Sequence, residues 1–289
     1  MTRMSAALSE SYAYCEALAR REAGNFYPAF RILPTPQRRG MCALYAFMRI
    51  ADDRSDDPAP MSVRRELLEQ WRIGLDRAIA GQCEHPSHPA LCDTIEAFRI
   101  PPKYLHAVID GVEMDLEPRH YETLDDLLRY CWHVASAVGL ACIHIWGFTD
   151  PQAKTLAEQA GYAFQITNIL RDLKEDALRD RVYLPAEDLA RFGVDPVSFR
   201  TGLADERFQA LMRFETERAR GYYAASAPLA AMLPRPGRAV YVLMSRTYRG
   251  LLDEMERRQF DVFSARIRVS RWRKLLMALQ VLPIRYGWG

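Results

Sequence analysis

The sequence has no apolar run long enough to cross a bilayer. Its longest, 134–148, reads VASAVGLACIHIWGF. Fifteen residues including a histidine fall short of the ~20 that a spanning helix needs, so the run is read as a buried core helix. The first twenty residues, MTRMSAALSESYAYCEALAR, lack the apolar centre of a secretory signal. An excess of charge is missing too: 39 Lys and Arg against 37 Asp and Glu leave +2, which gives no footprint for nucleic acid. No disulfide framework is visible. The six cysteines (15, 42, 83, 92, 131 and 142) are scattered as reduced thiols of a cytoplasmic protein would be. There is no extended alternating pattern for strands and no internal repeat. No Gly-rich dinucleotide loop occurs either.

Helical periods are what the chain does contain. They predict helices over 5–23, 37–52, 61–80, 102–117, 123–147, 151–177, 205–230 and 236–260. Prolines and glycines punctuate the intervals: LPTP, DPAP, HPSHP, IPP, TDP and LPRPG. No linker divides the chain, so the expectation is one all-α domain over 1–289.

Residues 165–176, QITNILRDLKED, carry an unusual polar stripe. With Gln165 at zero on a helical wheel, Asn168 lies near about −60°, Asp172 near about −20° and Asp176 near about +20°. The four fit an arc of roughly 80° and stack over about 16 Å. Two carboxylates and an amide oxygen on one rigid face suit Mg²⁺, a hard cation that takes few protein carboxylates and completes its shell with water and phosphate. Arg171 and Arg181 stand close by in sequence as phosphate ligands. A second stripe lies in YAFMRIADDRSDD, where Tyr45, Arg49, Asp52 and Asp56 share one face, with Asp53 and Asp57 about 100° round. Either stripe alone also reads as a solvated, Asp-rich helix end. Two of them in one all-α chain favour a shared cation, since converging aspartates without one raise each other's pKa values.

At these residues the sequence resembles the squalene/phytoene synthase family. The stretch AGYAFQITNILRDLKEDALRDRVYLP (160–185) is similar to the family's second aspartate-rich signature, G-x3-Q-x2-N-x2-R-D-x3-D followed by R-x-Y-x-P. YCWHVASAVG (130–139) is similar to its Y-C-x2-V-A-x2-V-G element, and LYAFMRIADDRSDD to its first aspartate-rich region. The resemblance covers about 22–265. Two departures stand out: Ala160 replaces a larger aliphatic residue, and Arg54 occupies a place usually small or apolar. Arg54 is expected to point away from the Asp52/Asp56 face.

The resemblance implies an isoprenoid synthase fold, a single helical bundle around a central cavity. It implies two or three Mg²⁺ ions held by Asp52, Asp56, Asn168, Asp172 and Asp176. Contacts to substrate diphosphate then fall to Tyr45, Arg49, Gln165, Arg171 and Tyr248, with Arg181 nearby. EAGN (22–25) matches a segment near the donor diphosphate, which adds Asn25, and Phe26 follows as a cavity aromatic. The implied activity is the head-to-head condensation of two farnesyl diphosphates to presqualene diphosphate, in a hopanoid or squalene route. Squalene synthesis with NADPH and phytoene synthesis from geranylgeranyl diphosphate are the alternatives. An inactive family member serving as an assembly or binding protein is the non-enzymatic one. Downstream isoprenoid enzymes are possible partners.

Three further segments invite a reading. CEHPSHPALC (83–92) brings Cys83, His85, His88 and Cys92 together, either as a zinc site or as a loop between helices. DGVEMDLEPRH (110–120) places Asp110, Glu113 and Asp115 on the cavity wall or on the surface. RIRVSRWRKLLMALQVLPIRYGWG at the C-terminus sets six Arg and Lys among apolar residues. It is either a solvated helix or a peripheral contact with the inner face of a membrane.

Overall fold

The computed structural model describes residues 5–287 except Asn25, Pro118 and Leu203. Every regular element among them is helical. The first group is α1 (Ala6–Glu22), α2 (Phe26–Phe30), α3 (Thr35–Ser55), α4 (Met61–Ile79), α5 (His88–Phe98) and α6 (Pro102–Met114). Then α7 (Leu124–Cys131) runs through a π-turn (Trp132–Ser136) into α8 (Ala137–Trp146), and α9 (Ala153–Ala177) follows. The remainder is α10 (Ala186–Phe192), α11 (Val197–Thr201), α12 (Glu206–Ser226), α13 (Leu229–Met232), α14 (Arg235–Arg257) and α15 (Arg271–Tyr286).

Local chemistry starts these helices. The side-chain oxygens of Ser5, Asp205 and Ser270 cap α1, α12 and α15 by accepting from the backbone N–H of Leu8, Phe208 and Arg273. Thr123 and Asp126 form a reciprocal capping box on α7. Pro36, Pro89, Pro102 and Pro236 sit in the first turns of their helices, where a missing N–H costs nothing. This corrects one expectation: the prolines of LPTP do not delay α3 to residue 37, because Pro36 is accommodated inside its first turn.

Two apolar cores share the bundle. One gathers α1, α3, α5, α6 and α8 around Phe47, Leu44, Leu105 and Leu140. The other gathers α9, α12 and α14 around Ile166, Leu170, Phe208 and Leu252. Phe164 and Leu243 pack against both. The apolar run 134–148 does form interior helix, as expected, although it is interrupted by the π-turn.

The π-turn is wedged between two glycines. A Cβ on Gly111 of α6 would lie 2.8 Å from Val134 Cγ1, and one on Gly161 of α9 would lie 2.5 Å from Ser136 Cα. Only bare backbone fits at either place. Ser136 Oγ donates to Glu158 O at 2.9 Å, which ties the turn to α9.

The segment read as a possible zinc loop is otherwise organised. His88 opens α5, so only its first residues form a loop. His85 Nδ1 is within 2.9 Å of Ser87 Oγ, and the rings of His85 and His88 pack on Trp71 at 5.2 and 5.1 Å. Burial pushes His88 down to about 4. Among the described residues no three His, Cys, Asp or Glu are grouped to hold a metal. No helix among them is long and apolar enough to cross a membrane.

Candidate functional site

Two helices, α3 and α9, line one cavity of about 430 Å³ with the same gradient of residues. On α3 the lining residues are Met41, Tyr45, Met48, Arg49 and Asp52. On α9 they are Ala157, Ala160, Gly161, Phe164, Gln165 and Asn168. Each set repeats at three- and four-residue steps, so each is one helical face, and each rises about 16 Å from apolar to polar. The mouth is therefore at the carboxyl ends of both helices. Asp56 on α3 and Asp172 and Asp176 on α9 continue the two faces outward. Phe26 of α2 and Tyr248 of α14 complete the wall near this end. Small residues at 157 and 160 line the chamber, while Gly161 beside them is held against Ser136.

The carboxylates at this end feel their neighbours, and Asp115 acts on both Asp52 and Asp176. Burial raises Asp52 to about 7, with Asp56, Asp53 and Asp115 adding and Arg49 opposing. Its side chain is reachable by solvent, but the surface it shows is cavity surface. Asp176 is also raised to about 7, first by burial and then by Asp172, with Arg181 opposing. Asn168 Oδ1 is buried and has no hydrogen-bond partner, while its Nδ2 donates weakly to Gln165 Oε1 at 3.4 Å. Raised carboxyls and an unpartnered buried amide oxygen are hard oxygen donors of the kind that Mg²⁺ prefers.

The arginines are paired within the protein. Arg171 Nε donates to Asp172 Oδ1 at 2.8 Å, and its second nitrogen grips Oδ2. Arg49 pairs with Asp53 at 2.6 Å rather than with Asp52, and Arg49 Nε is left without a partner. Asp53 is exposed, so this pair lies at the rim. Arg181 donates to the Asp115 carbonyl at 2.7 Å. Arg54 points away from the acidic face, as expected: it donates to Leu67 O at 2.7 Å and covers the Trp71 ring at 4.9 Å. The expected donor-diphosphate residue Asn25 lies outside the described residues.

Asp115 belongs to the site more firmly than its sequence suggested. It lines the cavity, and its two carboxylate oxygens accept from Tyr130 and Tyr183 at 2.9 Å each. The rings of Tyr130 and Tyr183 stack at 5.0 Å, and Tyr121 packs on both. Burial raises Asp115 above the usual carboxylate range, against Arg181 and both phenols. Its neighbours in sequence go elsewhere, since Asp110 and Glu113 bind Arg72 at 2.6 and 3.2 Å on the outer side. The helical wheel hints at this split, but the phenol of Tyr183 is not legible as a partner. Arg266 is a second residue missed, standing 3.6 Å from both Asp172 and Glu175. Among the aromatics near the site, Phe47 is core, stacked on Trp71, whereas Tyr45, Tyr130, Phe164 and Tyr248 line the cavity.

Below the mouth the lining turns apolar. Residues 134, 135, 138, 139, 142 and 146 of the π-turn and α8 form one wall, and Leu229, Val240 and Tyr241 another. Trp146 lies near one extreme, about 24 Å along the helix from Tyr130.

Comparison with known proteins agrees with this geometry. A family model described as squalene/phytoene synthase matches residues 19–273. A phytoene synthase of Arthrospira platensis is 35% identical, over 98% of this chain and 96% of that protein. A 15-cis-phytoene synthase of Synechococcus elongatus is 34% identical, over 95% and 93%. Among solved structures, a dehydrosqualene synthase bound to a ligand superposes with a TM-score of 0.86 at 28% identity, covering 95% and 96%. A squalene synthase of Alicyclobacillus acidocaldarius superposes at 0.84 and 26% identity, covering 89% and 97%. With an all-helical isoprenoid synthase fold and two helices that line an apolar chamber with polar ends, the chain belongs to the squalene/phytoene synthase family.

Proposed function

We propose that this protein joins two prenyl diphosphates head to head and that Mg²⁺ is required. The observation that carries the reading is the matched gradient on α3 and α9, two carboxylate faces opening onto one apolar cavity. Asp52 and Asp56 on one side, and Asn168, Asp172 and Asp176 on the other, would hold the metal. Bound Mg²⁺ neutralises diphosphate and so makes it a leaving group.

The chain's own residues account for the rest. Arg49, Arg171 and Arg181 bind phosphate oxygens by exchanging their present partners for them. Gln165, Tyr45 and Tyr248 orient the same groups at the polar end of the cavity. The apolar walls exclude water from the allylic cation formed when the C1–O bond breaks, and the faces of Phe164, Tyr248 and Tyr45 stabilise it. The C2=C3 double bond of the second molecule attacks C1 of that cation. Loss of one proton, accepted by the departed diphosphate, closes a cyclopropane. One diphosphate stays on the product and one is released.

Two chain lengths come into question. Farnesyl diphosphate, giving presqualene diphosphate, suits a cavity narrowed by Met41, Trp146 and Tyr241. Geranylgeranyl diphosphate is the second reading, favoured by relatives named as phytoene synthases. Incubating the protein with each substrate, with Mg²⁺ or with a chelator, and with or without NADPH, separates them. Cyclopropyl diphosphate from farnesyl chains without NADPH is the expected result. Onward conversion only with NADPH identifies a squalene synthase, and preference for the C20 substrate supports the second reading. No diphosphate release from either substrate would return the chain to a binding role.

A further inference from the structure

The C-terminal helix α15 is apolar on two opposite faces, and only one of them is covered. Met277 and Val281 are buried against the body of the protein, with Met277 Cε near Gly250 of α14. On the other face stand Trp272, Leu275, Leu276, Leu279, Pro283 and Tyr286, which share an arc of about 100° and are all exposed. Trp272 is 77% exposed and Leu276 58%. A helix that is apolar all round is normally enclosed. Here the outer stripe from Trp272 to Pro283 extends about 16 Å with its apolar side chains exposed.

Charge says what covers it. From Ser264 to Gly289 the chain has six Arg and Lys and no Asp or Glu. The whole chain is only +2, so the rest of the molecule is net negative. On the helical wheel Arg273 stands about 100° from Trp272 beside the stripe, and both Arg273 and Arg268, just before the helix, are exposed. Two copies packed stripe to stripe would set these cations against one another. An anionic bilayer offers the opposite: a plane of negative headgroups above acyl chains, with Trp and Tyr favoured at the boundary.

We infer that α15 is a lipid-docking helix that lies in the surface of an anionic membrane, its Trp272–Tyr286 stripe sunk among the acyl chains. Its far end adjoins the cavity entrance. Arg285 Nε donates to Ile32 O at 2.7 Å, and Leu282, Arg285 and Tyr286 line a depression together with Pro28, Arg31 and Ile32 beside α2. α2 carries Phe26, which lines the cavity and is itself 38% exposed. Docking on α15 thus brings the apolar wall of the entrance close to the lipid surface. The lipid contact stands whether or not the catalytic reading does.

Flotation of the full chain with vesicles tests it. Binding to phosphatidylcholine mixed with phosphatidylglycerol, and much less to phosphatidylcholine alone, is expected. The double variant Leu276→Asp/Leu279→Asp should lose about ten-fold or more of that binding, with its circular dichroism and its turnover of detergent-dispersed substrate unchanged. Trp272→Phe supplies an independent readout, because the blue shift of tryptophan fluorescence on vesicle addition should shrink. No flotation of the wild type, equal flotation of the double variant or an undiminished blue shift overturns the inference. A wild-type dimer dispersed by the double variant, without vesicle binding, assigns the face to a second copy.

Discussion

Asp52 and Asp172 are the residues on which the chemistry is most exposed to test. Asp52→Asn and Asp172→Asn each keep shape while removing an anionic ligand, and each should cut turnover by about 100-fold or more. Circular dichroism should match wild type, because neither side chain belongs to an apolar core; retained turnover in both would move the metal elsewhere. A different residue governs stability against pH. Glu215 is fully buried beside Asp188, and both depend on Arg218, which binds them at 2.7 Å. Burial raises Glu215 to about 8, with Arg218 opposing and Asp188 adding. Since the folded state then holds a proton that the unfolded chain releases above its ordinary carboxylate pKa of about 4.3, stability falls as pH rises from there to about 8. Glu215→Gln should flatten that part of the melting-temperature profile, and parallel profiles would mean that Glu215 titrates as an ordinary carboxylate. At this scale the sequence reveals spacing but not pairing. Steps of three and four put Gln165 and Asn168 on one helical face, and both line the cavity. They could not show that Arg171 holds its own neighbour Asp172, or that Asp115 is clamped by a phenol 68 residues away.

Among elements, the π-turn between α7 and α8 most directly shapes the cavity. Its extra residue resets the helical phase, so that Val134, Ala135, Val138 and Gly139 all turn inward. Gly161 lets α9 approach it, and a methyl group there meets the backbone of Ser136 rather than a movable side-chain tip. Gly161→Ala should therefore cost about 1–3 kcal/mol. It should also reduce turnover, because the next turns of α9 carry Gln165 and Asn168; calorimetry and steady-state kinetics measure the two effects. An unchanged melting temperature would mean that the turn yields easily. The long helices were legible because each buries one regular stripe. The π-turn was not, since one inserted residue in an apolar run leaves no compositional trace. Helix α5 was concealed by its own punctuation, HPSHP, which marks where it starts as well as where a loop ends. The short α10 and α11 offer too few turns for a period to register.

For the molecule as a whole, cavity depth decides which chains fit. Met41 lies on α3 about 16 Å from Asp52, at the apolar end of the gradient. Met41→Ala should lengthen the chamber and raise the ratio of C20 to C15 turnover by several-fold, at a stability cost of about 2–5 kcal/mol. Competition between the two diphosphates in one reaction reads the ratio directly, and an unchanged ratio would place the limit at another wall. The bundle and its cavity could be anticipated from the two acidic stripes and the family resemblance. The fit between α6, the π-turn and α9 could not, because it rests on two glycines whose neighbours are distant in sequence.

That α3 and α9 both point their carboxyl ends at the entrance has an electrical outcome. Aligned peptide dipoles leave about half an electron of negative charge at the end of each rod, on top of the aspartates already gathered there. Bare pyrophosphate esters would meet a doubly hostile doorway. Divalent cations would be drawn to it, so that on the proposed reading metal would arrive first and turn a repulsive threshold into a receptive one.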